Sequence, residues 1–209
     1  MMDVAGILLA YLIGSVSGSM LLGTLRGVDI RTMGSGNAGG TNALRTQGWQ
    51  FALGVVAIDI AKGWAAAWLA GRYFADTLQP QWLVSVAAMA AILGHMFPIY
   101  HRFRGGKGAA TYIGALVAIS PLLIAPIFAV WLITLLATGY VSLATMLAAL
   151  SGPVLGLLMA RPDPVVWFAV GSAVMIVLAH WSNIRRLRAG VENRFEKVRI
   201  LRGTSEDNE

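Results

Sequence analysis

The sequence predicts an all-α, polytopic integral membrane protein, and three observations carry that prediction. Only 12% of its 209 residues are charged and 57% are hydrophobic, with a mean hydropathy of +0.68; a soluble domain carries about 25% charged residues. The deficit is concentrated, since residues 4–25 hold no charge and residues 105–160 hold only Lys107. Apolar runs of about 20 residues, long enough to cross the hydrocarbon of a bilayer, recur along the chain.

In order, the apolar segments cover residues 4–24, 53–74, 82–100, 110–120, 121–138, 142–159 and 164–183. The first has no basic residue before it and no small-residue cleavage site after it, so it reads as a retained helix. The second carries Asp59 and Lys62 on one face. Ionisable groups at that depth must face protein or water, and a mutual ion pair is favoured over a role in bracing a polar cavity. The third brings His95 near its end and His101 just beyond, which read equally as members of a polar cavity or as interfacial residues satisfied by backbone carbonyls. The fourth is too short to cross alone unless it extends into its flanks. Ser120-Pro121 breaks it from the fifth, because proline restricts its predecessor and lacks an N–H donor.

Gly14 and Gly18 in the first segment, and Gly152 and Gly156 in the sixth, have the small-residue spacing that lets helices approach closely. After the seventh, Leu187, Val191, Phe195 and Val198 recur at helical spacing among basic residues, which suits a helix lying on the membrane surface. Residues 203–209 read as disordered. Seven crossings are expected, with five as the fallback if residues 110–138 form one broken helix. The helices are expected to share one interior, giving a single membrane-embedded domain over residues 1–209.

Charge asymmetry orients this arrangement. Counted from an outside N-terminus, the inside segments hold Arg26, Arg31, Arg45, Arg102, Arg104, Lys107 and the seven basic residues from Arg185 to Arg202, while the outside loops hold only Arg72 and Arg161. Cytoplasmic loops carry the Lys and Arg excess, so loops 25–52 and 101–109 and the C-terminal tail are expected on the cytoplasmic side. The formal charge of +6 is then a topological signal, not a nucleic-acid footprint. The absence of cysteine excludes disulfides, thiolate catalysis and thiolate metal sites. No carboxylate cluster or histidine pair suggests a metal, and no cofactor is expected.

Three polar clusters interrupt the apolar pattern, and the topology puts all of them on one face. The first, "MGSGNAGGTNALR" at residues 33–45, holds Ser35, Asn37, Thr41, Asn42 and Arg45. The second, "RFRGGKGAAT" at residues 102–111, holds Arg104, Gly105, Gly106, Lys107 and Gly108. The third, "HWSNIR" at residues 180–185, holds His180 and Asn183. Glycine lets backbone N–H groups converge on an anion, and Lys or Arg completes the neutralisation. Such concavities favour phosphate, and two of them facing each other suit two phosphorylated ligands.

Common alternatives fail on spacing. A P-loop needs a glycine where His101 stands and Ser or Thr where Gly108 stands, so no nucleotide is expected. Met33-Gly34-Ser35-Gly36-Asn37 is not a nucleophile elbow. No histidine has an aspartate five residues on, which removes the His-Asp pairing common to CoA-dependent glycerolipid acyltransferases.

Together the clusters resemble the acyl-phosphate:glycerol-3-phosphate acyltransferases of bacterial inner membranes, the PlsY family. "GSGNAGGTN" with Arg45, "DIAKG" at 59–63, "GHMFPIYHRFRGGKGAAT" at 94–111, "YVSLAT" at 140–145 and "HWSNIRRL" at 180–187 follow its motifs in order over nearly the whole chain. The resemblance implies transfer of a fatty acyl group from acyl phosphate to the sn-1 hydroxyl of glycerol 3-phosphate, giving lysophosphatidic acid and phosphate. It implies seven helices with an outside N-terminus in the bacterial cytoplasmic membrane. It assigns Ser35 and Arg45 to a first functional motif, Gly105, Gly106, Lys107 and Gly108 to a second linked to acyl phosphate, and His180, Asn183 and Glu192 to a third, the glutamate being structural.

The chain departs from the family pattern at Gly139 and Trp181, where basic residues are common, and at Gly190-Val191-Glu192 in place of Gly-Thr-Glu. The candidates for catalysis are Ser35, Lys107, His180 and Asn183. Those for substrate binding are Asn37, Thr41, Asn42, Arg45, Arg104, Gly105, Gly106, Gly108 and Ser142. The expected partners are the two substrates and membrane lipid. A transporter of phosphorylated solutes is the rival reading, which inverted repeats and two-sided access would favour; the sequence offers no convincing repeat.

Overall fold

A computed structural model describes residues 2–74 and 79–195. Among these residues the regular structure is helical. The elements are α1 (Met2–Ser15), α2 (Gly18–Arg26), α3 (Gly40–Gln47), α4 (Trp49–Leu69), α5 (Pro80–Met96), α6 (Ala109–Ile119), α7 (Ile124–Thr138), α8 (Val141–Leu158), α9 (Asp163–Ala179) and α10 (Trp181–Arg188).

Every apolar segment of the sequence becomes a helix, with two differences of consequence. The first segment is broken at Val16-Ser17, so α1 and α2 together make the 25-residue span Met2–Arg26. Ser15 and Ser17 sit at the break; the Ser15 hydroxyl bonds back to the Tyr11 carbonyl (2.9 Å) and Ser17 pairs with Ser19 (3.2 Å), local bonding that competes with a continuous helix. The last segment bends by 58° at His180, between α9 and α10.

Five helical stretches among the described residues are long and apolar enough to cross a bilayer, and the bent pair α9–α10 makes a sixth. The remaining expected crossing, the fourth segment, is α6 with 11 residues. At about 1.5 Å per residue it reaches about half the hydrocarbon thickness. The proline break between α6 and α7 falls where the sequence puts it, with Ser120 capping α6 and a short turn at Pro121–Leu123.

Glycines set the packing. A methyl group on Gly14 would run into the Ala91 backbone and one on Gly94 into the Tyr11 carbonyl, so α1 and α5 meet backbone to backbone. Gly63 against Thr111 and Gly114 against Ile60 do the same for α4 and α6. With no hydrophobic drive between helices in lipid, close approach of this kind supplies the attraction. Gly18 abuts the Val55 carbonyl on α4, and Gly152 faces the Tyr112 hydroxyl. Phe168, Ile92, Leu116, Ile127 and Ile176 fill the centre among α5 to α9. Large apolar side chains such as Leu8, Leu53, Ile133 and Leu157 point outward, as a lipid-facing surface requires.

The surface helix expected in the tail is shorter than its periodicity suggests. α10 ends at Arg188, and Gly190 (φ +71°) turns the chain, with Val191 N–H donating to the Arg186 carbonyl and Gly190 N–H to that of Leu187. This glycine-capped ending replaces further helix and carries Glu192 back into the protein. Val198 and residues 203–209 lie outside the described residues.

Candidate active site

Four helices begin at one cavity of about 400 Å³. Its lining includes Gly40 and Thr41 of α3, Ala109 and Ala110 of α6, Val141 and Ser142 of α8, and Asn183 of α10. Their N-cap residues are Gly39, Gly108, Tyr140 and His180, and none makes a side-chain cap. The first N–H groups of a helix lack intrahelical partners and carry the positive end of its dipole. The starts of α3, α6 and α8 on one concavity, with Lys107 and Arg45 in its wall, form a strongly anion-attracting floor; α10 follows directly on the C-terminus of α9, whose Ile176, Val177 and Leu178 carbonyls take up N–H groups at the bend.

All four residues singled out for catalysis line this cavity: Ser35, Lys107, His180 and Asn183. So do Asn37, Thr41, Asn42, Arg45, Gly108 and Ser142 from the wider set. A chain of hydrogen bonds links the second and third clusters. Lys107 Nζ donates to Asn183 Oδ1. Asn183 Nδ2 and the Ser142 hydroxyl donate to Glu192 Oε1 (2.6 and 2.8 Å), and Arg186 Nε donates to Oε2 (2.7 Å).

Burial raises the Glu192 carboxyl, but the hydrogen bonds from Asn183, Arg186 and Ser142 outweigh it and leave Glu192 below the usual carboxylate range. Glu192 therefore stays ionised and fixes the Asn183 amide with its oxygen toward Lys107. Burial pushes the Lys107 ammonium down to about 8, with the positive charges of Arg186 and Arg45 adding to the shift and Glu192 opposing it.

His180 is buried and its Nδ1 lies 2.7 Å from the Ile176 carbonyl. A carbonyl only accepts, so Nδ1 carries the proton and, in the neutral ring, Nε2 keeps its lone pair. Arg45 lies over the Phe195 ring, 5.3 Å from its centroid.

Some residues have other work than the sequence suggested. The Asn42 amide is fully committed: its nitrogen donates to the Ile30 and Met33 carbonyls (3.2 and 3.0 Å) and its oxygen accepts from Ser35 N–H (2.9 Å). It shapes the turn that presents Ser35. Gly105 and Gly106 lie outside the cavity lining, and their N–H groups donate to the Met96 and His95 carbonyls (3.2 and 3.1 Å). Their lack of a side chain lets the loop lie against the end of α5, where a methyl on Gly106 would strike the His95 ring. The N–H groups facing the main cavity come from helix starts, not from this glycine pair. Arg104 lines a separate cavity with Arg31 and Arg102.

The expected Asp59–Lys62 ion pair is present at 2.8 Å and has a third member. Lys62 Nζ also donates to the Val16 carbonyl (2.6 Å) and reaches His95 Nδ1 (2.8 Å), while Asp59 Oδ1 accepts from Gly18 N–H (3.2 Å). The pair thus satisfies one carbonyl and one N–H freed by the break between α1 and α2, as broken helices in membranes require. Asp59 and His95 also line the main cavity, so pairing and bracing coexist. Of its two readings, His95 fits the cavity one: its ring meets Lys62 and Asp59 side chains. Arg186, on Glu192, was missed because it sits in a run of basic residues that reads as a solvated face.

The far side of the cavity is apolar, lined by Ile124, Ile127, Phe128, Trp131, Ala148 and Ala149. One end suits phosphate and the other a hydrocarbon chain.

Comparison with known proteins agrees. The family described as Glycerol-3-phosphate acyltransferase matches residues 4–190. A glycerol-3-phosphate acyltransferase of Cupriavidus necator is 41% identical over 195 residues, covering 92% of this chain and 96% of that protein. One from Aquifex aeolicus is 36% identical over 189 residues, covering 90% and 97%. The crystal structure of PlsY, an integral membrane glycerol 3-phosphate acyltransferase, in its glycerol 3-phosphate form matches with a TM-score of 0.85 at 36% identity, over 92% of this chain and 95% of that one. The lysophosphatidic acid form of PlsY gives 0.83 at 35% identity over the same shares.

Proposed function

The chain belongs to the glycerol-3-phosphate acyltransferase family and is a multi-pass membrane enzyme of that activity; from this premise we propose that its donor is an acyl phosphate and that transfer occurs directly in the cavity where the four helices start. The observation that carries the reading is the two-ended cavity: uncapped helix starts with Lys107 and Arg45 at one end, aliphatic and aromatic side chains at the other.

In the reaction proposed, the sn-1 oxygen of glycerol 3-phosphate attacks the acyl carbonyl carbon. The carbon–oxygen bond to phosphate breaks, and inorganic phosphate leaves with the electron pair. Acyl phosphate is already activated, so no covalent acyl-enzyme is needed. Two anions repel, and holding their reacting atoms together is the main task of the protein. Lys107 and the start of α6 neutralise the donor phosphate, and Arg45 with the start of α3 holds the second phosphate. Ser35 and Asn183 donate hydrogen bonds to phosphate or to the developing oxyanion. His180 Nε2 and a substrate phosphate oxygen are the two acceptors for the hydroxyl proton; in a His180→Gln enzyme, turnover within tenfold of normal assigns the proton to phosphate.

The charge bias of the loops supports a cytoplasmic site in a bacterial inner membrane with the N-terminus outside. Water-soluble glycerol 3-phosphate then enters from the cytoplasm while the donor arrives through lipid.

Proteoliposomes test the reading. Phosphate release from acyl phosphate should require glycerol 3-phosphate, and initial rates should give intersecting double-reciprocal lines. Ping-pong kinetics, with acyl phosphate alone labelling the protein at Ser35, would replace direct transfer by a covalent route. Passage of intact glycerol 3-phosphate across the bilayer without acylation would instead favour a transporter.

A further inference from the structure

A second cavity of about 480 Å³ lies outside the catalytic one, within the roughly 300–1,000 Å³ range of small-molecule sites. Its walls are the chain after α2 and the chain after α5, and they bring together Arg31, Arg102 and Arg104 with Asp29, Tyr100 and His101. Asp29 is matched to Arg31 by an ion pair (2.8 Å), which leaves two further guanidiniums on the cavity without a carboxylate of their own in its lining.

The backbone here is strained. Arg102 and Phe103 both sit in the left-handed region (φ +56° and +59°), where an ordinary residue costs about 1–2 kcal/mol and glycine costs little. Glycines are abundant in the neighbouring loop, yet these two positions hold an arginine and a phenylalanine. Strain retained at such a position points to use of the side chains. Tyr100 in the lining and Phe97, Ile99 and Phe103 near it in the chain are each about half exposed, where the span Pro80–His101 ends and a membrane boundary is expected.

We infer that this cavity binds the headgroup of an anionic phospholipid, its phosphate held by Arg102 and Arg104 and its tails lying along the exposed apolar side chains at this end of the span. Arginine forks match phosphate oxygens two at a time, and basic pockets at the ends of spanning helices are natural headgroup sites. The location gives the lipid a consequence. Arg31 Nη1 donates to the His101 carbonyl (3.2 Å), so the two walls are already tied. Ser35 follows one wall and Lys107 the other, each three residues beyond the last residue lining this cavity. A bound headgroup bridges the segments that present both.

The inference needs the membrane setting and not the acyl-transfer reading, and its test is retention of lipid. Full-length protein in detergent is titrated with phosphatidylglycerol or phosphatidylcholine and examined by native mass spectrometry. Preferential retention of one phosphatidylglycerol is expected. Each surface arginine contributes about fivefold to such binding, so Arg102→Gln/Arg104→Gln should weaken it about 25-fold. Arg102→Lys/Arg104→Lys should recover much of it, which separates lost charge from lost folding. Lys107→Ala should retain lipid normally.

Equal retention of the two lipids, or unchanged retention in the glutamine variant, overturns the inference. So does loss of lipid in Lys107→Ala alone, which would put the lipid in the catalytic cavity. Stabilisation by inorganic phosphate with no retained lipid overturns it in favour of a soluble anion.

Discussion

Lys107 is half-buried, keeps its charge among other cations, and hands a hydrogen bond to Asn183. With its ammonium held at about 8, it is about nine-tenths protonated at pH 7 and loses its charge as pH rises through that value. Anion binding by the free enzyme should fall accordingly. kcat/KM for the acyl donor, which reports the free enzyme, should drop about tenfold per pH unit above about pH 8. Lys107→Arg, always charged, should lower the rate but flatten that limb; a wild-type profile level to pH 9.5 would argue against the role. Loss of one transition-state donor typically costs about 10²–10³ in turnover, so Lys107→Ala and Ser35→Ala should fall by that much while protein accumulates normally.

At this scale the sequence was most legible where polar residues cluster between apolar segments, as they do around Ser35 and Lys107. It was least legible where partners are remote. Nothing local tells that His95 meets Lys62 across 33 residues, or that Asn42 has its amide consumed by its own loop.

Helices could be placed from apolar length, and the Pro121 break from proline chemistry. The break at Val16-Ser17 had no comparable signal, since its freed carbonyl and N–H are answered by α4, more than 40 residues away. The convergence of four helix starts was likewise invisible, because spacing gives a helix's ends but not where they point. The break yields a sharp prediction. If Asp59 and Lys62 mattered only to each other, replacing both with apolar residues would be close to neutral, as for many buried ion pairs. Here the part-buried Val16 carbonyl and the buried Gly18 N–H would lose their partners, the latter at a cost of about 1–3 kcal/mol. Asp59→Leu/Lys62→Met should therefore melt well below wild type in detergent, and Asp59→Asn/Lys62→Gln, which keeps hydrogen-bonding groups, should recover part of the loss. Equal melting of the two double variants would reduce the pair to a simple charge match.

The molecule as a whole joins a water-facing chemistry to a lipid-facing one, and the cavity's two ends must act independently if that division is real. Ala149 on α8 is 2% exposed and lines the apolar end, away from the helix starts that form the polar floor. Ala149→Phe fills space that the proposed donor's chain would occupy and leaves Lys107, Ser35 and Asn183 untouched. Each methylene kept from burial costs about 0.8 kcal/mol, or about fourfold in binding, so excluding even two should lower kcat/KM for a long-chain donor more than tenfold. A short-chain acyl phosphate, which does not reach that depth, should keep its rate, and KM for glycerol 3-phosphate should not move. A uniform loss across chain lengths would mean that the substitution disturbs the polar floor. A rise in KM for glycerol 3-phosphate alone would place the acceptor, not the acyl chain, in the apolar end, and the assignment of the two ends would have to be exchanged.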